Sequence, residues 1–277
     1  MQEPASFWTK HFSTILLGLI IIFYSINGIN YLRHQSITAD EGSFMNYAIR
    51  FVKGQPARVS PLTDNSKMPI TVLNLVPRAM QEVFTKGSAQ KTDWGFSDTM
   101  QGRYITLGMS VITILLVFTW SKQLYGKWAG LFSAFLMSFC PNNLANAGLV
   151  TTDSYAVLFL LLSMYLLWKF CRIRTTTYFI LFSCAVAASQ LVKQSLFHLY
   201  VLTPLCMLVY FSFYKEKFRV GLFARRLLLF IAISFMIINL GYYFSGSFTR
   251  LGDYHFMSNL FQAVQQAFPS SLPVPLP

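Results

Sequence analysis

Seven stretches of the chain are almost continuously apolar: 12–32, 104–121, 128–146, 154–170, 178–193, 196–213 and 227–244. Each comes close to the roughly 20 residues that a helix needs to cross a bilayer. The pattern predicts an all-α polytopic membrane protein with about seven transmembrane helices in one domain, 1–277. Most polar connections are short. The exceptions are the loop at 33–103 and the segment at 245–277. Inside the long loop the apolar period changes. Phe44, Tyr47, Ala48, Phe51 and Val52 recur at i, i+3, i+4, i+7 and i+8, which predicts a helix with one apolar face. Beside a membrane, such a helix is expected to lie along the interface. A second short helix is expected over 70–84, interrupted at Pro77, after the turn-rich KGQPARVSPLTDNSKMP.

Composition agrees with a lipid-embedded chain. Hydrophobic residues make up 54% and charged residues only 12%, against about 25% charged in soluble domains. The net charge of +12 would suit nucleic acid, but its distribution excludes that partner. Lys10, Lys122, Lys127, Lys169, Arg172, Arg174, Lys215, Lys217, Arg219, Arg225 and Arg226 all fall on one side of the predicted spans. The positive-inside rule makes that side cytoplasmic, with the amino terminus there too. Only Glu3 and Glu216 share it, while Asp40, Glu41, Asp64, Glu82, Asp93, Asp98, Asp153 and Asp253 fall outside. No rule about basic residues requires that second asymmetry, so the outer side is expected to use carboxylates. Lys10 and the absence of a small-residue cleavage pattern predict an uncleaved signal anchor. Trp8, Tyr31, Trp120 and Trp128 read as an aromatic belt. Cys140, Cys171, Cys184 and Cys206 are too scattered for a metal site or a disulfide framework. The proline-rich SSLPVPLP leads to the expectation of a longer native polypeptide.

The candidate chemistry begins at Asp40 and Glu41. Thr38-Ala39-Asp40-Glu41 has capping-box spacing, which by itself accounts for both acids. Asp153, between the third and fourth spans, has an equally plain reading as a helix cap. As chemistry, carboxylates from separate outer loops would form one site at the membrane surface, where ionisable groups are functional candidates. Lys67, Arg103 and Lys193 are basic candidates for a phosphate. Snorkelling to the interface is the bland alternative for Arg103 and Lys193. His198 is a lone histidine, more often structural. The residues imply no definite cofactor; a divalent metal between Asp40 and Asp153 is the one candidate. A Gly-rich phosphate loop and a Ser-His-Asp arrangement are both missing, so a nucleotide donor lacks support.

The order of these features resembles the membrane glycosyltransferases of GT-C fold, in the branch of protein mannosyltransferases and lipid A aminoarabinose transferases. The residues that carry the resemblance are ADEGSFMNYAIRFVKGQP after the first span, KMPI in the outer loop, the arginine of QGRYITLGMSVITILL, the Leu-Tyr-Gly turn with a following Thr-Thr-Asp, and the lysine of LVKQSLF. Where the family pattern has Pro-Pro, this chain has Met68-Pro69. The resemblance implies a polyprenyl-phosphate sugar donor and inverting transfer to a hydroxyl of a protein, lipid or glycan at the outer or lumenal face. Asp40 would be the catalytic base, Glu41 its support and Asp153 the second acid. Lys67, Arg103 and Lys193 would serve the donor phosphate or the site architecture. Two rival readings are a lipid or sugar transporter, with charges at the bilayer midplane, and a non-catalytic membrane scaffold.

Overall fold

A computed structural model describes residues 7–56, 67–84, 96–214, 220–254, 256 and 259–277. Helices dominate it: α1 (Phe7–His34), α2 (Ala39–Val52), a 3-10 helix (Pro69–Leu75), α3 (Val76–Phe84), α4 (Phe96–Tyr125), α5 (Lys127–Ser138) and α6 (Pro141–Ala147). They continue with α7 (Asp153–Ile173), α8 (Thr176–Ser189), a 3-10 turn (Gln194–His198), α9 (Leu199–Phe213), α10 (Val220–Gly241) and α11 (Asn259–Ala267). Near the end, β1 (Thr249–Arg250) pairs antiparallel with β2 (Pro273–Val274), folding the last residues back toward α10. Asn239 Nδ2 donates to the Pro275 carbonyl at 3.1 Å in the same place. The chain is an all-α polytopic membrane protein.

Every apolar stretch is mostly helical, but the helix lengths differ from the expected spans. Among the described residues, five helices are long and apolar enough to span a bilayer: Phe12–His34, Asp98–Tyr125, Asp153–Ile173, Gln194–Phe213 and Gly221–Gly241. The expected third span, 128–146, is two helices. Pro141 has no N–H to continue a helix and instead starts α6, with Cys140 extended before it. That leaves α5 with 12 residues, roughly 18 Å at 1.5 Å per residue. The fifth stretch is also shorter than expected, since α8 stops at Ser189 after 14 residues. Between α4 and α5, Gly126 takes a φ of +91°, which lets α5 turn back along α4 after a single linking residue.

The bundle shows its apolar surface outward. Leu19, Ile22 and Ile26 on α1, Val201 and Leu205 on α9, and Leu228 and Ile231 on α10 are more than half exposed. In water such a surface would drive association; in lipid it is solvated. Polar contacts are kept inside instead. Tyr24 of α1 and Ser110 of α4 lie 2.6 Å apart, Ser110 donates to Asn143 of α6 at 3.0 Å, and Asn143 Nδ2 donates back to the Tyr24 oxygen at 3.2 Å. This closed triangle ties three helices where water is scarce.

The long first loop packs differently from the expectation. The face of α2 that carries Phe44, Met45, Ala48 and Ile49 is buried against Leu75 and Val150. It is therefore spent on protein contacts, and only Val52 of the expected apolar stripe is exposed, at 58%. The second helix does break near Pro77, as a 3-10 helix that hands over to α3 at Val76. The turn-rich residues 57–66 and the acids Asp64 and Asp93 lie outside the described residues, as do Lys215, Lys217 and Arg219.

Helix direction sorts the charges. Helix α7 begins at Asp153 and carries Arg172 in its last turn, and α4 begins near Asp98 and ends near Lys122. The carboxylate candidates and the basic hairpins thus sit at opposite ends of the bundle.

Candidate functional site at the carboxylate end of the bundle

The site is organised around one buried ion pair. Glu41 and Arg103 are both 0% exposed. Arg103 Nε donates to Glu41 Oε1 at 2.8 Å, and one terminal nitrogen donates to Oε2 at 2.7 Å, a bidentate fork. The remaining N–H groups cap the carboxyl end of α1: they reach the carbonyls of Leu32 at 3.0 Å, Gln35 at 2.8 Å and Ser36 at 2.8 Å. All five guanidinium donors are engaged. Of the two roles expected for Arg103, donor phosphate or site architecture, its engaged donors favour the second. A fully enclosed guanidinium with no N–H to spare is part of the architecture.

Glu41 is equally committed. Beyond Arg103 it accepts from the Thr38 backbone N–H at 2.9 Å, which is the reciprocal half of the expected capping box. The Thr38 hydroxyl donates to the same oxygen at 3.2 Å. It also accepts from the backbone N–H of Val150 at 2.9 Å, 109 residues further along. Burial by itself would raise this carboxyl, but the hydrogen bonds from Arg103, Thr38 and Val150 and the guanidinium charge outweigh it. The net effect holds the Glu41 pKa below its usual value. An acid so enclosed is unsuited to direct proton transfer with a substrate.

Asp40, one residue earlier, points the other way. Its side chain is 79% exposed at the start of α2, with the Lys67 ammonium 3.7 Å from Oδ1. Lys67 itself is buried, its side chain 4% exposed and its Nζ 3.7 Å from the centre of the Phe44 ring. The cation–π contact helps to hold the charge in place. Asp153 opens α7 and accepts from Lys193 Nζ at 2.5 Å; both side chains are close to half exposed. A carboxylate in the first turn of a helix also meets the favourable end of the helix dipole.

Two hydrogen bonds donated by backbone N–H groups bring these pairs to the same end of the molecule. The Val150–Glu41 bond fixes the strand of loop that leads into Asp153 against the residue that follows Asp40. The Ile70 N–H donates to the Leu191 carbonyl at 3.1 Å, which joins the Lys67 loop to the turn that carries Lys193. His198 stands apart from both pairs, exposed, with Nδ1 2.6 Å from the Ser195 carbonyl. Among the described residues no three His, Cys, Asp or Glu side chains come together as metal ligands. Asp40 and Asp153 are each already neutralised by a lysine. This donor set does not fit the candidate divalent metal.

One residue of this region escaped the sequence reading. Asn74, in the 3-10 helix, is 1% exposed. Its Nδ2 donates to the Gly102 carbonyl at 2.8 Å and to the Thr106 hydroxyl at 2.9 Å, and its Oδ1 accepts from Tyr155 at 3.0 Å. An asparagine within PITVLNL has no signature in sequence; only its partners reveal it.

Residues 95–241 match the model of the dolichyl-phosphate-mannose-protein mannosyltransferase family. Arg103, Asp153 and Lys193 lie inside the matched region; Asp40, Glu41 and Lys67 precede it. No curated protein and no solved structure matches the chain.

Proposed function

Since the chain belongs to the dolichyl-phosphate-mannose-protein mannosyltransferase family, we propose that it is an integral membrane glycosyltransferase that takes its sugar from a polyprenyl phosphate. The acceptor is a hydroxyl, and transfer takes place at the outer or lumenal end of the bundle with inversion of the anomeric carbon. Asp40 is the base. It accepts the proton of the acceptor hydroxyl as that oxygen bonds to the anomeric carbon. The bond from that carbon to the phosphate oxygen breaks, and the lipid phosphate leaves with the electron pair. Lys193, with Asp153, is placed at a half-exposed position suited to receive the phosphate as its charge grows. Lys67 sets its buried ammonium beside the Asp40 carboxylate. Glu41 and Arg103 take no direct part and keep the loops in register.

The observation that carries this reading is the Glu41 carboxylate accepting from Val150, because it places the Asp40 helix against the loop that delivers Asp153. The basic hairpins at the opposite end support a cytoplasmic position for that end. The test is a transfer assay in proteoliposomes with a polyprenyl-phosphate sugar and a hydroxyl acceptor. The intact protein should release polyprenyl phosphate as it glycosylates the acceptor, and Lys193→Met should raise KM for the lipid donor. Movement of the lipid-linked sugar across the vesicle with no covalent transfer would favour a transporter and overturn the proposal.

A further inference from the structure

We propose that Asn74 is a positioning residue for Lys67, setting the buried ammonium against Asp40; the inference rests on the transferase reading above. The 3-10 helix Pro69–Leu75 has seven residues, whereas 3-10 runs longer than about three or four are uncommon because their hydrogen bonds are poorly aligned. Such a segment needs pins from outside. Two are polar. At its first turn the Ile70 N–H is bonded to Leu191, and at its last turn the Asn74 amide is bonded to Gly102, Thr106 and Tyr155. Gly102 makes the second pin accessible: a Cβ there would come within 3.1 Å of the Asn74 carbonyl oxygen, closer than side chains normally pack. Lys67 lies two residues before this helix, and the Thr71 hydroxyl and N–H both bond to the intervening Met68 carbonyl. A shift of the helix therefore moves Lys67. Through Tyr155 the same amide is anchored to α7, which fixes its own position.

Two readouts test this in the full-length protein. The first is amine-reactive labelling followed by mass spectrometry. Lys67 should be protected in the native protein and become reactive in Asn74→Ala, while half-exposed Lys193 reacts equally in both. The second is a double-mutant cycle on transfer. Asn74→Ala should lower kcat by about tenfold to a hundredfold, as small misplacements at a reacting centre do. In a Lys67→Met background it should cause no further loss. Asn74→Asp removes the two donated bonds but keeps an oxygen for Tyr155, and it serves if the alanine variant does not fold. Lys67 staying protected in both variants, or the same fold-loss in the Lys67→Met background, would overturn the inference. If the native protein transfers no sugar but Asn74→Ala still unmasks Lys67, the transferase reading fails and the positioning role stands.

Discussion

Glu41 and Asp153 each hold a basic partner at the same end of the bundle, yet the two pairs live in opposite surroundings. Glu41–Arg103 is sealed at 0% exposure on both sides and surrounded by backbone donors and carbonyls. Asp153–Lys193 is about half exposed, at 45% and 40%. A sealed pair resists reorganisation, because removing one partner strands a charge without water. An open pair can exchange its partner for a ligand at little cost, since exposed ion pairs contribute only about 0–1 kcal/mol. The same chemistry therefore suits a strut in one place and, on the proposed function, a receptor in the other.

The largest effect should come from opening the strut. Arg103→Ala should destabilise the fold by about 3–5 kcal/mol, the usual result of leaving a buried carboxylate unpaired, read as a fall in melting temperature in detergent or nanodiscs. A change under about 1 kcal/mol would mean that the pair is wetter than its geometry shows. At the receptor the order reverses. Lys193→Met should leave the stability within about 0.5 kcal/mol of native, as surface changes do, while transfer falls about a hundredfold. A stability loss as large as that of Arg103→Ala would erase the distinction between the pairs.

How far the sequence anticipated these roles depends on the range of the interaction. The apolar stretches were legible because burial in lipid acts on every residue of a helix at once. The break in the third stretch was legible in principle from Pro141, yet hydropathy alone runs through it. The KMPI motif singles out Lys67 as a donor-phosphate candidate, but its neighbour Asp40 shows only in the structure. The role of Arg103 could not be read, because an arginine at the start of a span looks the same whether it snorkels, binds phosphate or pairs with a glutamate 62 positions earlier. The apolar stripe of α2 was read correctly as a stripe but assigned to lipid, since its true partners Leu75 and Val150 are distant in sequence.

Two smaller effects sharpen the comparison. Thr38→Ala should cost about 1 kcal/mol, a typical cap loss, because the hydroxyl bond to Glu41 disappears while the backbone bond remains. The pH dependence has a definite sign. The folded state holds the Glu41 pKa below its ordinary 4.5. Its contribution to stability is fully present above that value and is lost as pH falls through the lower folded pKa. Acid titration of the melting temperature should therefore show a decline that steepens below about pH 4.5 and is absent in Glu41→Gln. A native curve that parallels the glutamine variant would contradict the depressed value.

The central claim is that neighbouring acids divide the work, with Asp40 for chemistry and Glu41 for architecture. The most direct measurement is transfer rate and melting temperature side by side for Asp40→Asn and Glu41→Gln. The account predicts that Asp40→Asn keeps the native melting temperature and loses about 10²–10⁴-fold in kcat, the range of a general base, whereas Glu41→Gln melts clearly lower. Full transfer by Asp40→Asn, with its fold intact, would contradict it.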